Sequence, residues 1–123
     1  MSNRYVMLEK AGGGAVITDR LKVVLAAEGM SGETILKMSD GSDIALKAGI
    51  GEVADLLALQ IRGPSSSLDG RDMAFNRQHL VCAEEKDGLL KIRFSNGLVT
   101  SQAGASIEAF FEALVQMERK GLD

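Results

Sequence analysis

Apolar and polar positions alternate through most of this chain and give way to helical spacing in two places. Tyr5, Met7 and Glu9 alternate with Val6, Leu8 and Lys10, which predicts a first strand. Gly12, Gly13 and Gly14 make a turn, and the β-branched stretch 15–18 reads as a second strand or an entry to the next. Leu21, Val23 and Leu25 alternate with Lys22, Val24 and Ala26, giving a strand with one apolar face. A further strand is predicted over 34–39, with Leu36 and Met38 inward and Lys37 outward. It returns after Asp40-Gly41 through Ile44 and Leu46. Asp-Gly favours a type I′ turn, which needs φ > 0 at both central positions.

The period changes over 49–62. Val53, Leu56, Leu57 and Ile61 recur at helical spacing, Glu52 and Asp55 suit the dipole near the start, and Gly63-Pro64 is a stop signal. Residues 63–72 are small and polar, hold the only proline, and predict a linker that includes Ser65-Ser66-Ser67. The programme then repeats. Residues 73–75 are extended, and 79–85 form a strand with Leu80 and Cys82 on one face. After Asp87-Gly88, Leu90, Ile92 and Phe94 alternate with Lys91, Arg93 and Ser95. Asn96-Gly97 turns the chain into a return strand over 98–102. A last helix begins at a Ser106 cap, carries Ile107, Phe110, Phe111 and Leu114 as its stripe, and ends with Arg119, Lys120 and a C′ Gly121.

The two halves align. Residues 36–41 lie over 92–97 without a gap, 56 positions apart, and 17–20 lie over 75–78, 58 apart. The predicted organisation is one domain over 1–123, built of repeats 4–63 and 73–121 joined by the linker 63–72. The fold class is α+β: two tandem antiparallel β-meander-plus-helix repeats packed with pseudo-twofold symmetry, each burying the sheet face the other leaves bare.

Composition narrows the chemistry. With 46% hydrophobic residues and only 4% aromatic, the core is aliphatic. Cys82 and His79 are the only cysteine and histidine, which excludes an internal disulfide and disfavours a zinc site. Cys82 shares a predicted face with Leu80 and reads as a buried thiol. The Gly12–Gly14 run lacks the Gly-Lys-Ser/Thr ending of a phosphate loop, and Asp40-Gly41-Ser42-Asp43 lacks calcium-loop spacing. Neither a leader nor a membrane-spanning window is visible, and a lone cysteine suits a reducing cytoplasm. No catalytic residue, metal or cofactor is predicted.

What remains is a basic pattern. Lys37 and Arg93 occupy equivalent outward positions, Lys91 shares the face of Arg93, and Lys22 and Arg77 fall on neighbouring outward positions. Together they predict a basic strip able to follow a phosphate backbone despite a net charge of -3. A solvated face or a protein contact is the alternative use of such positions.

Strands followed by a helix, twice, over 34–46 with 53–61 and over 80–102 with 107–117, resemble the Whirly and transcriptional-coactivator class of single-stranded-DNA-binding folds. The layout is also similar to small cyanobacterial proteins of unknown function that carry a duplicated unit. The lysine-rich motif of Whirly proteins and the basic, Ser-rich tail of the coactivators have no counterpart here. The resemblance implies a non-catalytic binding module for single-stranded nucleic acid, with a transcription-regulatory role. A protein–protein interaction or assembly module, with a protein partner or a homo-oligomer, is the second expectation. No membrane partner is expected.

Overall fold

The computed structural model describes residues 3–65 and 68–120. The chain is α+β and mostly β. A hairpin of β1 (Tyr5–Glu9) and β2 (Ala15–Asp19) leads through a 3-10 turn at Arg20–Lys22 into β3 (Val23–Glu28), β4 (Thr34–Met38), β5 (Asp43–Leu46) and helix α1 (Ile50–Leu56). Then come β6 (Ile61–Pro64), β7 (Asp72–Phe75), a 3-10 turn at Arg77–His79, β8 (Leu80–Lys86), β9 (Leu89–Phe94), β10 (Val99–Ala103) and helix α2 (Ile107–Arg119). All strand pairings are antiparallel, in sheets ordered β1-β2, β5-β4-β3-β7-β6 and β10-β9-β8.

The five-stranded sheet lies in the middle and buries both faces. On one side α1 brings Val53, Ala54 and Leu57 onto Ala26, Leu36 and Ala74. On the other, Val24, Met73 and Phe75 meet Leu90, Ile92 and Phe94. Phe75 and Phe94 stand edge to face, centroids 4.9 Å apart, and Phe110 of α2 tilts toward Phe75 at 6.3 Å. β3 was expected to have one apolar face, yet Val23 through Ala27 are all buried. A bulge between Val23 and Leu25 breaks the alternation, and both faces of the strand are covered.

Helical spacing overran the first helix. α1 ends at Leu56, and Ile61–Pro64 is a strand. Ala58 adopts φ 55°, the Leu59 amide donates to Ala54 O, and the Ala58 amide donates to Asp55 O. Those two bonds are a Schellman stop, with Leu59 turned into the core. An alanine at C′ gives no sequence signal, so Ile61 continued the pattern by coincidence. Leu56, expected in the stripe, is exposed.

The predicted linker 63–72 is not one. β6 and β7 pair through Ile61↔Phe75 and Pro64↔Asp72, so the segment is a hairpin connection inside the central sheet. Ser65 is buried, and its hydroxyl donates to Ser101 O at 3.2 Å. Ser66 and Ser67 lie outside the described residues, as does the expected C′ Gly121. Pro64 is tolerated because β6 is an edge strand.

Turn chemistry was partly right. Asp87 and Gly88 both have positive φ, as a type I′ turn needs. At Asp40-Gly41 and Asn96-Gly97 only the glycine does. There the loop is one residue longer, closed by Met38 N–H to Ser42 O and by Phe94 N–H to Leu98 O. The Asp40 and Asn96 side chains then accept from the amides of Ser42 and Leu98.

α2 begins at Ser106, whose hydroxyl accepts from the Ala109 amide at 3.2 Å. None of its residues is fully buried, and Phe111, expected in the core, is 62% exposed. Cys82 is also exposed, not buried. A bulge between Leu80 and Cys82 takes it off the face of Leu80, and β8 is an edge strand, paired with β9 on one side and open on the other.

Candidate nucleic-acid interface

The two 3-10 turns form the same way. Asp19 accepts from the Leu21 amide at 3.0 Å, and Asn76 accepts from the Gln78 amide at 3.1 Å, each capping a turn that enters a bulged strand. Asp19 is also bound by Arg4 at 3.1 Å. The Arg4 guanidinium holds its carboxyl below the usual carboxylate range, assisted by the Leu21 amide.

These turns and two hairpin loops are tied into one surface. Ser39 N–H donates to Lys22 O, and Ser95 N–H donates to His79 O. The His79 ring joins the halves: Nε2 is 2.6 Å from Leu21 O and Nδ1 is 2.7 Å from the Ser95 hydroxyl. A carbonyl only accepts, so Nε2 carries the proton and Nδ1 accepts from Ser95 in the neutral ring. Asn96 adds a bond from Nδ2 to Met38 O at 3.3 Å.

The five sequence-predicted residues fall in three places. Lys22 and Arg77 lie on the joined 3-10 turns, one exposed and one half-buried. Lys37 sits on β4, where its ammonium is 2.7 Å from the Asp43 carboxylate, and that pair adds little net charge to the surface. Lys91 and Arg93 share a face of β9 in the three-stranded sheet, with Glu84 directly opposite Lys91 and Cys82 opposite Arg93. Sheet membership separates Lys37 from Lys91 and Arg93.

Sequence reasoning passed over His79, Asn96 and Arg20. Asn96 reads from the sequence as a turn residue and His79 as a lone histidine, because the partners that tie them into this surface lie 58 residues away. Arg20 was one position out of register: Asp19 and Asn76 hold equivalent cap positions 57 apart, which sets Arg20 against Arg77. Beside the Lys22 turn lies an open depression lined by Lys22, Met38, Ser39, Asp40, Ser42 and Ile44. No group of three His, Cys, Asp or Glu side chains placed to hold a metal occurs among the described residues. No helix among them is long and apolar enough to cross a membrane.

The fold is similar to that of a solved LytTr DNA-binding domain from Bacillus cereus. The TM-score is 0.63 at 14% identity, over 92% of this chain and 98% of that one. At this identity the likeness is one of fold. No protein-family model matches the sequence, and neither does any curated protein. The likeness leaves the Whirly resemblance as one of element order.

Proposed function

We propose that this chain is a non-catalytic DNA-binding module with a role in regulating transcription. The observation that carries this is the fold likeness to a DNA-binding domain across nearly the whole of both chains. The tied surface around His79 supports it. There exposed Lys22 and half-buried Arg20 and Arg77 stand beside hydrogen-bonding loop side chains, on turns rigidified by side-chain caps and cross-loop bonds. Phosphate contacts from such groups position a protein on nucleic acid, and polar loop side chains read base edges. Duplex DNA fits better than a single strand. Phe75 and Phe94 are buried, and this surface offers no aromatic platform for base stacking.

The same reading takes the chain as two units, β1 to α1 and β6 to α2, with matching element order. Their matching features lie 57 apart: the caps Asp19 and Asn76, the helix N-caps Gly49 and Ser106, and the strand-entry bulges at Val23/Leu25 and Leu80/Cys82.

The test is fluorescence anisotropy with labelled duplex and single-stranded oligonucleotides across a salt series. Duplex binding at low salt should weaken steeply as salt rises. Lys22→Ala with Arg77→Ala should lower the slope of log K against log salt by about 2, roughly one per phosphate contact removed. Lys86→Ala, at the β8–β9 tip, should leave it unchanged. Absence of duplex binding at low salt refutes the proposal. Preference for the single strand refutes the duplex version.

A further inference from the structure

The two units are matched in sequence order but not in what covers them. β3 is bonded on both sides, by β4 and β7, whereas its counterpart β8 is bonded by β9 alone. β7 is bonded on both sides, by β6 and β3, whereas its counterpart β2 is bonded by β1 alone. The pairing β3·β7 therefore has no equivalent among the described residues, and the two strands that would make it each keep one open edge.

Burial records the same gap. Val24 on β3 is 0% exposed, and Val81, 57 positions on, is 54% exposed. Ala74 on β7 is 1% exposed, and Ile17, 57 positions before it, is 71% exposed. Ala54 on α1 is fully buried, and Phe111, its counterpart on α2, is exposed. Each buried member belongs to the β3·β7 junction or to the helix lying over it. Each exposed member lies where the second junction would form.

We propose that a second copy of this chain supplies that junction, with β8 of one copy pairing to β2 of the next in the register of β3·β7. Leu25↔Phe75, Ala26↔Ala74 and Ala27↔Met73 then become Cys82↔Thr18, Ala83↔Ile17 and Glu84↔Val16 of the second copy. The sheet β10-β9-β8 gains β2-β1, which reproduces the order β5-β4-β3-β7-β6. Ile17 of the second copy comes down over α2 beside Phe111, as Ala74 lies under α1 beside Ala54.

Charge agrees with this pairing. At the end of β3, Glu28 accepts from the Asp72 amide at 3.1 Å, and the Arg71 guanidinium donates to Glu28 O at 3.1 Å. Glu85 stands 57 after Glu28, and Ala15 stands 57 before Asp72, so the Ala15 amide meets Glu85. The place of Arg71 falls on Gly14, over which the Lys10 side chain lies. Lys10 of the second copy thus comes to Glu85. Each copy uses one edge of each kind, so the contact is head to tail. Two copies joined reciprocally are the smallest closed form.

This inference rests on the two-unit reading and on nothing about nucleic acid, so its test is run without DNA. Sedimentation over a concentration series should show a mass that rises above 13.1 kDa. Val24 O accepts from the Asn76 amide across β3·β7. By alternation the Ala26 amide faces β7, and the Ala83 amide faces the open edge of β8. Ala83→Pro removes that donor and spares the β8·β9 ladder, so the variant should stay monomeric at every concentration. Glu85→Lys or Lys10→Glu alone should weaken association, and the two together should restore it. Thr18→Cys should give an oxidative cross-link with Cys82 of another copy that the unsubstituted chain does not give. A strict monomer at all concentrations, with no Thr18→Cys cross-link, overturns the proposal.

Discussion

Phe75→Ala is the sharpest test of how the molecule is held together. Phe75 is fully buried on β7, a strand that belongs by sequence to the second half but is bonded to β3 of the first. Its ring packs edge to face on Phe94 at 4.9 Å and lies 6.3 Å from Phe110, so one side chain touches a strand and a helix of the second half. Truncation removes the transfer energy of a benzyl group and leaves a cavity that rigid β neighbours fill poorly. The expected cost is about 3–5 kcal/mol. For a chain of this length each kcal/mol lowers Tm by roughly 3–5 °C, so a fall of about 10–20 °C should follow. Urea and thermal unfolding by circular dichroism would read it. Because β7 joins both cores, unfolding should remain a single transition with a lower midpoint and an unchanged m-value. A loss under about 1 kcal/mol, or a split into two transitions with one midpoint unmoved, would refute the shared-junction reasoning. Phe111→Ala serves as the control, since that ring is exposed in the monomer and should cost under about 0.5 kcal/mol at low concentration.

Two further predictions concern local devices. Asp19 has a depressed carboxyl pKa, so its charge contributes stability above the ordinary carboxylate range, and that contribution is lost as pH falls through the lowered value. Asp19→Asn keeps the capping oxygen and loses the Arg4 pair. The gap in urea midpoint between wild type and variant should therefore exist at neutral pH and close in acid, and an equal gap at both would contradict the assignment. Ala58→Gly relieves a left-handed alanine at the Schellman stop and should raise stability by roughly 1 kcal/mol; a decrease in the urea midpoint would show that the φ of 55° carries no strain.

Much of the local structure was legible from residues that act on near neighbours. The period-two strands β4, β5, β9 and β10, the Ser106 cap and the span of α2 follow from side-chain alternation and a cap whose partners lie within three residues. Two errors had local causes with silent signatures: an alanine filling a left-handed position after α1, and bulges at Val23/Leu25 and Leu80/Cys82 that reverse which residues face inward. The basic residues were identifiable as a set. Their grouping was not, because Lys37 is paired by Asp43 across a hairpin and the turns of Lys22 and Arg77 are joined by His79 bonding Leu21 O, 58 residues apart.

By itself the sequence determined an aliphatic α+β chain of alternating strands with two helical stretches, because turn chemistry and hydrophobic period are properties of short stretches. Only the tertiary structure decided that residues 63–72 turn back into a shared sheet, that β3 is buried on both faces, and that β8 and β2 are left with open edges. Those outcomes depend on which strand edge finds which partner. Backbone N–H and C=O groups are identical along every strand, so their pairing is chosen by long-range packing and leaves no mark in local sequence.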